Sequence, residues 1–196
     1  LAKEAGLELG IKSSIVVNDK METSIPDIYA VGDAVQIKNF VTDKDTLISL
    51  AGPANKQGRI AADNICGGDS HYTGGQGSSV IKIFDMTAAA TGINEKTAKS
   101  LGIATDKVIL SPMSHAGYYP GGKMMTMKVL FEKESYRILG AQIVGFDGVD
   151  KRIDVLATAI RAGIKAYELT ELDLAYAPPY SSAKDPVNMA GYIIEN

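Results

Sequence analysis

The stretch Thr23-Ser24-Ile25-Pro26-Asp27-Ile28-Tyr29-Ala30-Val31-Gly32-Asp33 decides how the rest of the chain reads. Pro26 fixes φ and Asp27 can bond its own backbone, so Ile25-Pro26-Asp27 is a turn. Ile28 to Val31 then reads as a short buried strand that ends at Gly32-Asp33. Glycine lets a ligand or another backbone come close. The carboxylate that follows can accept a hydrogen bond from a ligand hydroxyl, at the end of the strand where α/β sheets bind ligands. A bare Gly-Asp pair would equally serve as a strand-turn closed by a capping aspartate.

On the upstream side, Ile15-Val16-Val17 is a β-branched run between Ser13-Ser14 and Asn18-Asp19, hence a strand. Leu1 to Gly6 reads as the middle of a helix, with no Met at the start, which points to a piece cut from a longer polypeptide. On the downstream side, Leu50-Ala51-Gly52-Pro53-Ala54-Asn55 opens a helix over residues 53–66. Pro53 suits the first turn, where its missing N–H costs nothing. The free N–H groups of such a start attract negative charge or a carbonyl oxygen, although an ordinary surface helix begins the same way. Lys56 and Arg59 could equally serve a ligand at this helix start or be solvated helix charges. Gly67-Gly68 stops the helix. Residues 67–78 are polar and glycine-rich without the Gly-Lys-Ser/Thr of a phosphate loop, so a boundary falls there, between domains 1–78 and 79–196.

The second half reads as α+β. Val80 to Phe84 and Val108 to Leu110 are strands. Asn94 caps a helix from Glu95 to Leu101, closed by Gly102. Met124 to Glu132 and Arg137 to Val144 form an antiparallel hairpin around Lys133-Glu134-Ser135. The Met124-Met125-Thr126-Met127 run is strand core. Ile153, Leu156, Ala157, Ile160 and Ile164 recur at helical spacing and give an amphipathic helix over 149–162. A further helix is expected near Ala166–Glu171, before a tail from Leu172.

Composition limits the function. The 196 residues are 45% hydrophobic and 22% charged, enough for a core. A net charge of -3 argues against binding nucleic acid through a basic surface. No apolar run nears the roughly 18–20 residues that span a bilayer, and no secretory signal is seen. The one cysteine, Cys66, excludes an intrachain disulfide and, with only His71 and His115 to help, leaves no expected metal site. A reducing, cytoplasmic setting fits. Cys66 is expected to be a packed thiol and His71 to be solvated in its loop.

Two tyrosine-rich segments remain: Ser114-His115-Ala116-Gly117-Tyr118-Tyr119-Pro120-Gly121-Gly122, and Leu174-Ala175-Tyr176-Ala177-Pro178-Pro179-Tyr180-Ser181-Ser182-Ala183-Lys184-Asp185-Pro186. Adjacent Tyr and Pro stiffen a loop and hold phenols at fixed places. A phenol can hold or protonate a leaving thiolate, and Lys184 can bind a phosphate. Interface packing is the alternative, since tyrosine is common there.

The string from Thr23 to Asp33 closely resembles the second flavin-binding motif of the pyridine nucleotide–disulfide oxidoreductases. The tyrosine segments resemble those of its coenzyme A–disulfide reductases and related NADH oxidases. The resemblance spans the chain. Residues 1–11 look like the end of a nucleotide domain, 12 to about 76 like the returning FAD-domain segment, and 79–196 like the dimerisation domain. It implies that Asp33, beside Gly32, binds the ribityl chain of FAD. Ala51, Gly52, Pro53, Ala54 and Asn55 would face the pyrimidine end of the flavin. Tyr118 and Tyr176 would reach the partner's active site in a homodimer, near a cysteine-bound coenzyme A. Lys184 and His115 are candidate substrate contacts, while Tyr119 and Tyr180 compete with the two named tyrosines. NAD(P)H would be the electron donor. The Gly-x-Gly-x-x-Gly fingerprints and the redox cysteine that the family carries upstream are not in this sequence, so the chain alone is expected to be inactive and to hold neither cofactor firmly. An NADH oxidase or peroxidase, a polysulfide reductase, or a homodimerisation module without activity are the other expectations.

Overall fold

In the computed structural model, which describes residues 1–195, the chain divides into two compact units, Leu1–Gly77 and Ser78 onward. In the first, β1 (Ile15–Val16) lies parallel to β2 (Val35–Lys38), and β2 pairs antiparallel with β3 (Asp45–Thr46). Helix α1 runs from Ala51 to Ile65, two residues earlier than its sequence implies, because Gly52 and Pro53 both fit an open first turn. It ends at Cys66, and Gly67 follows with φ +86°.

Several expectations fail in this unit. Ile28 to Val31 is not a buried strand. Only an isolated bridge joins Tyr29 to Glu22, and Ile28 and Val31 are 38% and 39% exposed. A strand of this type needs neighbours on both edges, and within the unit the backbone from Met21 to Thr23 bonds it along one edge. Residues 2–6 form turns, and the Leu7 N–H bonds back to the Ala2 carbonyl rather than extending a helix. Cys66 is exposed, not packed, because the helix cap leaves its side chain beyond the last buried position, Ala61.

The second unit is a five-stranded antiparallel sheet in the order β4-β5-β8-β7-β6, made of β4 (Ser79–Ile83), β5 (Met86–Gly92), β6 (Thr105–Leu110), β7 (Met125–Glu132) and β8 (Ile138–Gly145). Alternation along β7 buries Met125, Met127 and Val129 while Thr126 faces solvent. On the buried side, α3 (Val149–Ala162) lays Ile153, Leu156 and Ile160 across β5 and β8. A 3-10 helix, Ala166–Glu171, packs against α4 (Pro186–Glu195). Helix α2 (Glu95–Ser100) is capped as its sequence requires, with the Asn94 side chain accepting from the Thr97 N–H at 2.9 Å. The opposite face of the sheet is an open apolar groove of about 520 Å³ lined by Ile81, Ala88, Ala90, Ile109 and Val144, with Lys128 at its edge. Among the described residues, no helix is long and apolar enough to cross a membrane, and no cluster of His, Cys, Asp or Glu could hold a metal ion.

Candidate active site

In the first unit the two flavin-type segments meet. Gly32-Asp33-Ala34 is a single 3-10 turn at the head of β2. Gly32 sits at φ +81°, a region that L side chains avoid, and a Cβ there would find only ordinary contact with Ala54 at 3.9 Å. Backbone conformation, not space, therefore calls for glycine at this position. The Gly32 N–H donates to Gln57 Oε1 at 2.7 Å, and Gln57, 1% exposed on α1, pins the turn to the helix. Leu50 gives α1 no side-chain cap and its first turn carries no acidic residue, so the donors at Ala51 and Gly52 face outward uncompensated. Asp33, Ala51, Gly52 and Asn55 are exposed. An exposed carboxylate beside an uncapped helix start suits a ligand with hydroxyls at one end and developing negative charge at the other, as a flavin has.

In the second unit, loops from distant parts of the sequence converge. The Tyr118 and Tyr176 hydroxyls lie 2.8 Å apart, on side chains 58 positions apart in sequence. Tyr118 is 77% exposed. The hydrogen bond to Tyr118, aided by burial, raises the Tyr176 phenol above its ordinary value. The two competing tyrosines go elsewhere. Tyr119 meets the His115 ring edge-on at 5.6 Å, and Tyr180 turns to solvent. His115 is buried, with Nδ1 3.1 Å from the Ala116 carbonyl, so it packs the loop and leaves little surface for a substrate. Lys184 is exposed, with Nζ 5.0 Å from the centre of the Tyr192 ring.

Sequence reasoning missed the groups beneath these loops. Arg152, 1% exposed, donates through Nη2 to the Ser114 carbonyl at 2.9 Å, to Ser181 Oγ at 3.1 Å and to Asp185 Oδ2 at 3.0 Å. Asp185 also caps α4, accepting from the Val187 N–H at 3.0 Å. Burial by itself would raise the Asp185 carboxyl. The Ser181 hydroxyl, the Val187 N–H and Arg152 outweigh it and hold the group below the usual carboxylate range. One signal was legible: Arg152 falls on the apolar stripe of α3 with Val149, Leu156 and Ala159, where a charge must find buried partners. His71 is exposed in its loop, as expected, and there it is also paired with carboxylates. It lies 2.8 Å from Asp19 and 3.2 Å from Asp69, and chiefly the bond to Asp19 raises its pKa.

The fold and the two paired segments define the class. Residues 78–186 match the dimerisation domain of the pyridine nucleotide-disulphide oxidoreductases, residues 1–58 match the pyridine nucleotide-disulphide oxidoreductase model, and the chain belongs to this family. Among relatives, a coenzyme A disulfide reductase of Staphylococcus aureus is 38% identical over 191 residues, which cover 97% of this chain and 43% of that protein. The chain therefore spans under half the length of this curated relative. The structure of reduced Bacillus anthracis CoADR-RHD superposes with a TM-score of 0.97 at 55% identity, over all of this chain and 35% of that one. An NAD-dependent persulfide reductase from A. fulgidus gives 0.97 at 44% identity, over 100% of this chain and 36% of that one.

Proposed function

We propose that this chain forms part of a homodimeric, FAD-dependent NAD(P)H oxidoreductase that reduces coenzyme A disulfide in the cytoplasm. One observation carries the reading: two exposed tyrosines from separate loops share a hydroxyl–hydroxyl hydrogen bond, while the competing tyrosines beside them do not. When bound, the flavin relays electrons from the reduced nicotinamide to the disulfide. Asp33 accepts hydrogen bonds from the flavin's ribityl hydroxyls, and the uncapped α1 start, from Ala51 to Asn55, offers N–H groups and positive dipole to its pyrimidine end. Lys184 supplies a cation for a coenzyme A phosphate.

The tyrosine pair acts in the partner's site. Splitting the mixed disulfide between an upstream cysteine and coenzyme A sends one electron pair into the departing sulfur. Tyr118 or Tyr176 donates a hydrogen bond or a proton to that thiolate, and solvent restores the proton. Pairing two phenols serves this role, because the phenol that keeps its proton steadies the oxygen of the other. Reduction of one disulfide takes two electrons and two protons; the hydride brings both electrons and one proton, and solvent brings the second proton.

Changing Tyr118→Phe together with Tyr176→Phe in the protein that includes the upstream segment should lower kcat for coenzyme A disulfide by about 100-fold, with FAD still bound. Unchanged turnover would remove the tyrosines from the chemistry. The 44% identity to a persulfide reductase favours a second acceptor class. Parallel assays with coenzyme A disulfide and with a coenzyme A persulfide decide between them. This chain by itself is expected to dimerise without consuming NADH, and stoichiometric flavin in the purified chain would overturn that.

A further inference from the structure

We infer that Arg152, locked by Asp185, is a positioning residue that brings the Tyr118 and Tyr176 loops to one point, so that the substrate end of the site is set from the buried face of α3. The inference rests on the proposed role of the two tyrosines.

The guanidinium reaches both loops through their main chain. Nη2 bonds the carbonyl of Ser114, four residues before Tyr118, and lies 3.4 Å from the carbonyl of Tyr180, four residues after Tyr176. Nη1 donates to the Gly148 carbonyl at 3.1 Å, and Nε to Asp185 Oδ2 at 3.2 Å. Asp185 in turn accepts from Ser181 Oγ at 2.5 Å. The loops are stitched to each other where the Ala116 N–H donates to the Ser181 carbonyl at 3.0 Å. Lys151, the preceding residue on α3, reaches the carbonyl of Ala175 at 3.3 Å, next to Tyr176, and lies 3.8 Å from Asp185. Gly148 completes the arrangement: a Cβ at this position, with φ +66°, would overlap Arg152 Nη1.

Stability alone does not account for such a group. A buried ion pair is about as stable as apolar residues of the same volume, because removing two charges from water offsets their attraction. What a planar, multiply bonded guanidinium adds is direction, since its donors fix several acceptors in one plane. Here those acceptors belong to the two segments whose phenols must meet. Lysine keeps the charge and loses the fork, so Arg152→Lys separates the two contributions.

The test is a cycle in the protein that carries the upstream segment, with coenzyme A disulfide as the probe and circular dichroism as the check of folding. Arg152→Lys should lower kcat by about 10- to 100-fold, as a misplaced catalytic group does, with a smaller change in KM. On a Tyr118→Phe, Tyr176→Phe background the same change should cost less than about twofold, because the groups it positions are gone. An equal loss on both backgrounds would overturn the inference.

NMR of Cζ-labelled tyrosine supplies a readout that does not depend on turnover. Tyr176 should titrate above an ordinary phenol in the parent and return toward it in Arg152→Lys. A folded Arg152→Lys variant with the parent titration also overturns the inference. If instead the tyrosine double variant turns over normally, the tyrosine reading falls by itself, and the titration alone decides the clamp. Should Arg152→Lys not fold, Ser181→Ala removes one link and leaves the charges paired. It should shift the Tyr176 titration in the same direction, and no shift counts against the clamp.

Discussion

Asp185 holds its proton less tightly than an ordinary carboxyl, and that makes the second unit sensitive to acid. A folded-state pKa below the unfolded one contributes stability that is complete above the unfolded value and is lost as pH falls through the folded value. Denaturant midpoints should therefore fall in the acid range more steeply for the parent than for Asp185→Asn. The variant should also be about 3–5 kcal/mol less stable near neutrality, since it leaves Arg152 buried and only partly compensated. His71 runs the other way. Its folded pKa is raised, mainly by Asp19, so its contribution is full below the ordinary histidine value and vanishes as pH rises through the raised one. The stability gap between the parent and His71→Asn should close as pH rises; a gap that widens would contradict the assignment. Among single residues, the family resemblance put Tyr118 and Tyr176 ahead of their near neighbours Tyr119 and Tyr180, while the residues themselves gave no physical ground for the choice. Which phenol of each segment meets the other is set by the conformation of both loops, and their backbones share hydrogen bonds with a guanidinium from a helix far away in the chain.

Elements were legible where local chemistry and tertiary pairing agree. Helix α3 matches its sequence range because apolar period, Gly148 and Gly163 all concur. Helix α2 has its asparagine cap, and Asn94→Ala should cost about 1 kcal/mol in a denaturation curve. Strand β5 was not visible. Met86-Thr87-Ala88-Ala89-Ala90-Thr91-Gly92 lacks large β-branched residues, and alanine favours helix, yet β4 and β8 flank it on both edges and the ladder prevails. Helix α4 was also missed, although Asp185-Pro186 is a cap followed by a first-turn proline. Ile28 to Val31 fails for the opposite reason: its local pattern favours a strand and its surroundings in this unit supply too few partners. The link between Gly32 and α1 belongs at this scale too. Gln57→Leu should destabilise the first unit by about 1–3 kcal/mol by leaving the Gly32 N–H without its acceptor. Loss of flavin affinity should accompany it in the protein with the upstream segment.

For the molecule as a whole, the two units differ in what holds them. The second has a continuous core between the sheet and α3, in which Leu156 is fully buried. Leu156→Ala should lower its stability by about 2–5 kcal/mol, measured by denaturant unfolding, through the cavity it leaves. The first unit has short strands and fewer buried apolar side chains, and its order depends more on polar links such as Gln57 to Gly32. Family membership was readable from motif strings because those strings encode backbone turns and helix starts. The polar node beneath the tyrosine loops was not, because its partners are scattered from Ser114 to Asp185.

The node grips mostly carbonyl oxygens, at Ser114, Gly148 and Tyr180, with Ala175 held from Lys151. A carbonyl is present whatever side chain its residue bears. Side chains can therefore vary along much of the two loops while the bonds that hold their backbones stay in place. In a saturation library screened for folding, tolerance should be broad across 175–180 and narrow at Gly148, Arg152, Ser181 and Asp185, whereas a screen for turnover should in addition restrict Tyr176.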